Sequence, residues 1–340
     1  MIIRSKAPLR LGLAGGGSDV SPYSDLYGGN VLNATINLAA YCTIEPLPRP
    51  VMRVCAEDAG IREEIPLGTG PATSGALLID GVYNRILRDF GPLPSPGFAI
   101  TTYNDAPAGS GLGTSSTMVV CILKCFAEWM GIPLGNYELA RMAYEIERKD
   151  LLLSGGKQDQ YAAAFGGFNF MEFLPSDLVI VNPLRVKEWI VEELEASLLL
   201  YFTGRSREGA AIIEKQQEAT RKGRGEAVEA MHRIKQSAVD MKLALLQGDM
   251  HAFAQILGAA WEDKKKMADT ITNPVIQEAF DVALKAGAIS GKVSGAGGGG
   301  FLMLMVPPER KFAVREAMHA LPGKVVPFQF TDKGAVAWKL

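Results

Sequence analysis

Four groups of residues in this 340-residue chain have the types and spacing to do chemistry. The clearest spans residues 107–116: Pro107-Ala108-Gly109-Ser110-Gly111-Leu112-Gly113-Thr114-Ser115-Ser116. Glycines at alternate positions let successive backbone N–H groups converge on one point without Cβ obstruction. A helix starting directly after them adds free N–H donors and a partial positive charge. Together these make an anion site suited to phosphates. Thr114, Ser115 and Ser116 offer N-cap oxygens, and one hydroxyl could also ligate Mg²⁺. The alternative is a tight turn capped by Ser/Thr, but three alternating glycines cost chain entropy that a plain turn does not need. No Gly-Lys-[Ser/Thr] follows the glycines, and their spacing differs from the dinucleotide fingerprint.

The second group is N-terminal. Lys6-Ala7-Pro8-Leu9-Arg10 leads to Gly15-Gly16-Gly17-Ser18-Asp19, so a cation and a carboxylate flank an open glycine turn. Arg10 could stabilise charge on a transferring phosphoryl group, and Asp19 could bind sugar hydroxyls. A surface turn is the plainer reading. The third group holds Asp159, which follows Gly155-Gly156-Lys157-Gln158. Glycines before a carboxylate at a helix start suit a positioned base, or else an N-cap. Phosphoryl transfer needs mainly alignment, charge neutralisation and an acceptor for the hydroxyl proton. Glu147, on the preceding helix, is the best nearby carboxylate for Mg²⁺ unless it is a solvated helix charge. The fourth group, residues 295–300, is a literal G-x-G-x-x-G. The dinucleotide motif needs a helix next, whereas Phe301-Leu302-Met303-Leu304-Met305-Val306 reads as a buried strand. A loop between strands that lets a ligand approach the backbone, or a structural hairpin, fits better.

The elements that must position these groups divide the chain in two. The first part reads as strands at 1–4, 41–45, 51–56 and 98–103, rich in β-formers and bounded by Pro and Gly. Apolar residues at helical spacing, Met118, Val119, Ile122, Leu123 and Phe126, mark a helix over 115–129. A second helix covers 137–152, a short one 161–165, and a strand 168–173. The later part has a strand at 198–203, three or four helices within 207–286, strands at 288–294 and 301–306, a helix at 309–321 and a strand at 324–329. This ending suggests an α+β unit with helices on one side of a sheet. The boundary falls near 175–195.

Bulk properties narrow the partners. A formal net charge of -2 gives no global field for nucleic acid or an anionic membrane, so any anionic ligand must be held locally. No window has the length of a membrane span, and residues 1–10 do not resemble a signal peptide. Cys42, Cys55, Cys121 and Cys125 fit neither a zinc site nor a disulfide scaffold, and Cys121 and Cys125, four apart on the expected helix, read as buried thiols in a reducing cytoplasm. The scattered His232, His251 and His319 argue against a His-based metal site. Oligomeric state is open.

In this order the motifs resemble the GHMP kinases, which include galactokinase, homoserine kinase and mevalonate kinase. Residues 107–116 look like that family's phosphate loop, 292–301 like its C-terminal glycine motif, and 6–19 like its N-terminal motif. The resemblance spans nearly the whole chain. It implies an α+β fold of two domains: a ribosomal-S5-domain-2-like ATP-binding domain over 1–185 and a ferredoxin-like domain over 186–340, with the active site between them. It implies ATP and Mg²⁺, with residues 107 and 109–116 on the nucleotide. Arg10 matches the family's basic residue, Asp19 its sugar-binding aspartate, Ser115 its Mg²⁺ hydroxyl, Glu147 approximately its Mg²⁺ carboxylate, and Asp159 its catalytic aspartate, with Lys6 beside Arg10. Galactokinases carry Glu-His where Gly16-Gly17 stand, which argues against galactose.

The stretch 4–19, with 156–161 and 201–207, looks most like the heptose 7-phosphate kinases of the family. That likeness implies phosphorylation of the anomeric C1 hydroxyl to a 1,7-bisphosphate, feeding nucleotide-activated heptose for surface glycans. Fucose kinases share much of the pattern. The expected sugar side comprises Gly16, Gly17, Ser18, Asp19, Gly295, Gly297 and Gly298, with Lys157, Arg205 and Arg207 toward a distal phosphate. A non-catalytic sugar and nucleotide sensor is the rival class, but it should have lost the base, a Mg²⁺ ligand or loop glycines. A dinucleotide oxidoreductase rests on residues 295–300 alone.

Overall fold

Strands fill the first part of the chain, as its β-branched and aromatic runs require. The structure is a computed structural model that describes residues 1–68, 70–204, 209–221 and 225–340. β1 (Ile3–Ala14) runs antiparallel to the long β2 (Gly29–Leu47). β3 (Val51–Ala56), β4 (Ile61–Pro66) and β5 (Gly97–Asn104) extend the sheet beyond β2, with β3 parallel to β5. β6 (Phe168–Phe173) pairs with the start of β2, and β7 (Val179–Pro183) pairs with β6. The register between β1 and β2 slips between Pro8 and Arg10 and again between Gly12 and Ala14. Such irregularities re-aim side chains; here they flank Arg10.

The second sheet is antiparallel throughout: β8 (Leu198–Phe202), β9 (Ser290–Val293), β10 (Phe301–Met305) and β11 (Lys324–Val326), in the order β11-β8-β10-β9. The glycine run 295–300 therefore joins two antiparallel strands, as the buried apolar run after it suggested. β12 (Val336–Lys339) returns to the first sheet and pairs with β1.

The helices are α1 (Tyr23–Tyr27), α2 (Leu77–Phe90), α3 (Thr114–Met130), α4 (Asn136–Glu145), α5 (Gln158–Phe165), α6 (Glu188–Ser197), α7 (Gly209–Arg221), α8 (Gly225–Gln247), α9 (Met250–Lys265), α10 (Pro274–Ala286) and α11 (Lys311–His319). α3 is apolar nearly all round and packs against α2, α4, α5, β1 and β2. A helix of that composition belongs in a core. Phe126 meets Phe98 edge-on at 5.4 Å, beside Trp129 and Tyr83. Burying one such ring contributes about 1.5–3 kcal/mol. The packing fixes the start of α3, and with it the glycine loop over 107–113. The helix expected over 137–152 is α4 followed by a π-helical turn, Ile146–Asp150. Such turns occur often at functional sites, and this one carries Glu147. No helix among the described residues is long and apolar enough to cross a membrane.

Candidate active site

The loop between β5 and α3 behaves as its glycines dictate. Gly109, Gly111 and Gly113 have φ of 70°, 84° and 77°, a left-handed region costly for other residues. Gly113 occupies the N-cap position of α3, and no side chain caps the helix. The hydroxyls of residues 114–116, expected to cap it, lie within its first turn instead. The leading N–H groups of α3 are thus left to a ligand, with the positive end of the helix behind them.

A cavity of about 320 Å³ opens in front of that helix start, lined by Gly109, Gly111, Gly113, Thr114, Ser115 and Ser116 among others. Asp159 enters it from the second position of α5. Arg10, 4 % exposed on β1, places Nε 2.7 Å and a terminal nitrogen 2.6 Å from Asp159 Oδ1. Its other terminal nitrogen donates to the Gly111 carbonyl at 2.6 Å, and its backbone N–H donates to the Leu112 carbonyl at 3.2 Å. One guanidinium thus links the acid to the phosphate loop. Asp159 Oδ2 has no hydrogen-bond partner among the described residues. A Cβ on Gly113 would lie 3.1 Å from the Asp159 carboxyl carbon, so glycine there lets loop and acid meet.

Glu147 reaches the same cavity, 1 % exposed. It accepts from Ser116 Oγ at 3.0 Å and from Gln160 Nε2, with Arg148 at 3.6 Å. Burial pushes its carboxyl up, opposed by Arg148, Gln160 and Ser116. A second cavity of about 310 Å³ adjoins at Thr114 and Ser115. Its walls are largely apolar, including Ile61, Leu78, Met118 and Ile122, with Asp58, Thr102 and Asn104 as polar groups. Asn104 Oδ1 is buried there without a donor.

The chain as a whole is similar to known proteins. The family model for the GHMP kinases N terminal domain matches residues 78–167, and that for GHMP kinases C terminal matches 241–323. A D-glycero-alpha-D-manno-heptose 7-phosphate kinase of Campylobacter jejuni is 46% identical over 99% of each chain. The chain belongs to the GHMP kinase family. A crystal structure described as a D-glycero-D-manno-heptose 1-phosphate kinase from Bacteriodes thetaiotaomicron is 59% identical, with a TM-score of 0.85 over 99% of both chains. Lactococcus lactis galactokinase, complexed with galactose, shares the fold at 17% identity, with a TM-score of 0.76 over 98% of this chain and 95% of its own. The protein is a sugar kinase of the expected two-domain α+β fold, and ATP is its phosphoryl donor.

In this GHMP kinase the structure brings Arg10, Gly16, Gly17, Asp19, the loop glycines, Thr114, Ser115, Ser116, Glu147, Asp159, Gly295 and Gly297 to one cavity. Several expected residues lie elsewhere. Lys6 rests over the Tyr41 ring, 5.5 Å from its centroid, and does not line the cavity. It precedes Arg10 by four strand residues, roughly 13 Å along β1. Ser115 does line the cavity, but the hydroxyl on Glu147 is that of Ser116, because successive helical residues point about 100° apart. Ser110 and Leu112 are buried beneath the loop, and Pro107 is exposed before it. Ser18 Oγ bridges the Gly15 and Asn30 carbonyls. Gly298 donates its N–H to the Ile271 carbonyl, away from the lining. Arg205 and Arg207 lie outside the described residues.

Asp19 lines the cavity, yet four donors already hold its carboxylate. Oδ2 accepts from Lys157 N at 2.9 Å and Gln158 N at 3.0 Å; Oδ1 accepts from Gly17 N at 3.1 Å and Gln158 Nε2 at 3.2 Å. It therefore anchors the start of α5, the helix that presents Asp159. A Cβ on Gly156 would fall 1.9 Å from Oδ2, so glycine is required there.

Lys157 is 2 % exposed and points away from the cavity, with Nζ 2.6 Å from Asp177 and 3.7 Å from Asp25. Its hydrogen bond and charge hold the Asp177 carboxyl below its ordinary range. Lys157→Met should lower stability by about 1 kcal/mol, because the abandoned Asp177 stays partly solvated. The KM for a sugar phosphate should change less than twofold. Urea denaturation and steady-state kinetics check both; a tenfold rise in KM would return Lys157 to the site.

Sequence reasoning passed over two cavity lysines, Lys264 and Lys292. Lys264 sits in the charged run Glu262-Asp263-Lys264-Lys265-Lys266, which reads as a solvated helix end. The available signal was its spacing: Phe253, Leu257, Trp261 and Lys264 share the buried face of α9.

Proposed function

We propose that this kinase transfers the γ-phosphoryl group of ATP to the C1 hydroxyl of a heptose 7-phosphate, giving the 1,7-bisphosphate. One observation carries the mechanism. Asp159 keeps one oxygen on Arg10 and presents the other, unpartnered, beside the phosphate loop. A sugar hydroxyl there meets a proton acceptor and the phosphoryl donor together. Arg10 orients the acid and spreads charge on the transferring group. An anomeric hydroxyl is more acidic than an ordinary alcohol, so alignment contributes much of the rate. The apolar second cavity suits the nucleobase.

The residues also fit Mg²⁺. Glu147 and the Ser115 and Ser116 hydroxyls are hard oxygen donors at the helix start. The described residues contain no group of three acidic, His or Cys side chains able to form a full cage. Magnesium suits such a site, because it favours few protein carboxylates together with phosphates and water. When bound, it neutralises charge on the phosphates. A buried Glu147 whose carboxyl burial pushes up would gain from a cation.

The acceptor is supported by the two relatives' descriptions, which name different phosphates, at position 7 and at position 1. ADP release should be measured with ATP, with and without Mg²⁺, against heptose 7-phosphate, heptose 1-phosphate, the free heptose and fucose. The 7-phosphate should exceed the others at least tenfold in kcat/KM and require Mg²⁺. Equal turnover of fucose or free heptose would reject the assignment. Supply of a surface-glycan pathway would follow from that product.

A further inference from the structure

Lys264 and Lys292 have no part in the mechanism above, yet both line the cavity. Each is 6 % exposed. Lys264, on α9, donates to the Gly295 carbonyl; Lys292, on β9, donates to the carbonyls of Gly12 at 2.9 Å and Leu13 at 3.2 Å. Among the described residues no carboxylate lies within ion-pair distance of either Nζ. The acids lining the cavity are already engaged: Asp159 by Arg10, Asp19 by four N–H donors, and Glu147 by Ser116 and Gln160. Arg10 adds a third positive charge nearby.

Burying two ammonium groups without an anion is unfavourable. Burial, and next the Arg10 charge, push Lys264 down to about 8, and burial with the Lys264 and Arg10 charges pushes Lys292 well below its ordinary value. Each ammonium has three donors; the Gly295 carbonyl takes one from Lys264, and the Gly12 and Leu13 carbonyls take up to two from Lys292. A dianionic phosphate would supply the missing charge and accept the remaining N–H groups. Lys292 hydrogen-bonds the backbone at Gly12 and Leu13, and Lys264 at Gly295. Neither touches the start of α3 or Glu147, where the nucleotide phosphates and metal would sit.

We propose that Lys264 and Lys292 hold the phosphate that the acceptor sugar already carries. This rests on reading the chain as a kinase of a sugar phosphate. The pair then makes the cavity selective: a neutral sugar leaves two buried cations unpaired, whereas a phosphorylated one satisfies them. The cations expected for this role were Lys157, which is committed to Asp177, and Arg205 and Arg207.

The test uses the whole chain with Lys264→Met and Lys292→Met. Replacing an unpaired buried charge by a methionine should leave the thermal midpoint unchanged or raised in phosphate-free buffer, which circular dichroism checks. Calorimetric titration with heptose 7-phosphate, without nucleotide, should show affinity falling on the order of 10- to 100-fold in each variant. The stabilisation of the unmodified protein by inorganic phosphate should shrink in parallel. The kcat/KM for the unphosphorylated heptose should change less than threefold. Unchanged affinity for the 7-phosphate in both variants would overturn the proposal. So would equal losses in kcat/KM on phosphorylated and unphosphorylated sugar, which would assign the lysines to the transferring group instead. If no sugar turned over while phosphate binding still depended on the lysines, the kinase reading would fall and the anion site would stand.

Discussion

Asp159→Asn should lower kcat by about 10²- to 10⁴-fold while changing the Kd for ATP less than threefold. The substitution is nearly isosteric, and the geometry makes the shape matter. Gly113 stands against the Asp159 side chain, with a Cβ there only 3.1 Å from the carboxyl carbon. A longer acid would collide with the loop, whereas asparagine occupies the same space. Its carbonyl oxygen can keep both Arg10 hydrogen bonds, which converge on one carboxylate oxygen. What changes is the other atom: an acceptor becomes an NH₂ donor and cannot take a proton. The loss should therefore fall on turnover rather than on nucleotide binding, the pattern of an interaction made chiefly in the transition state. Initial-rate kinetics and calorimetric titration with ATP give the two numbers. A kcat within fivefold of the unmodified enzyme would remove Asp159 as proton acceptor and leave alignment and charge neutralisation to Arg10 and the loop.

Gly111→Ala should be the most damaging single change in the phosphate loop. Gly111 has φ of 84°, and a Cβ there would lie 2.3 Å from the carbonyl oxygen of Ser294. Both clashing groups are backbone-borne, so no rotamer change relieves them. Gly111 also accepts hydrogen bonds from Arg10 and from Ser294 Oγ at 2.9 Å. Displacing it therefore disturbs the Arg10–Asp159 pair and the seam with the glycine loop at 295–300. Gly131→Ala is the internal control, because Gly131 shares a φ of 69° but faces open space. It should cost about 1–2 kcal/mol for conformation alone. Gly111→Ala should cost about 3–4 kcal/mol in all and weaken ATP binding more than tenfold. Equal destabilisation in the two variants, by urea denaturation, would show that the seam yields and that the contact is dispensable.

The neighbourhood of the acid shows how far the chain could be read without its fold. Residues 107–116 announce their role through backbone conformation, and that conformation is local. Alternating glycines permit left-handed φ at 109, 111 and 113 whatever surrounds them, and the apolar periodicity after them demands a buried helix. Asp159 stands out for a similar reason, since Gly155-Gly156 before a helix start mark where a carboxylate is presented, whereas Glu147 stands out only as the nearest carboxylate on the preceding helix and by family likeness. The π-helical turn that swings Glu147 onto Ser116 was not legible. A helical pattern running from 137 to 152 does not reveal an extra residue in one turn. The residues alone leave Thr114, Ser115 and Ser116 open, and only the family likeness points to Ser115.

Long cations were the least legible. Lys6, Lys157, Lys264 and Lys292 each sit in sequence contexts that admit a site or a surface. Four or more rotatable bonds leave the direction of a lysine undetermined by its own segment. Tyr41 and Asp177 claim two of them from other elements, while α9 and β9 aim the other two into the cavity. Read alone, the residues mark a candidate anion site where α3 begins and an acid near it, because glycine conformations and helix starts are local properties. Which cations line the cavity is decided by the fold, because a lysine's direction depends on the distant elements packed around it.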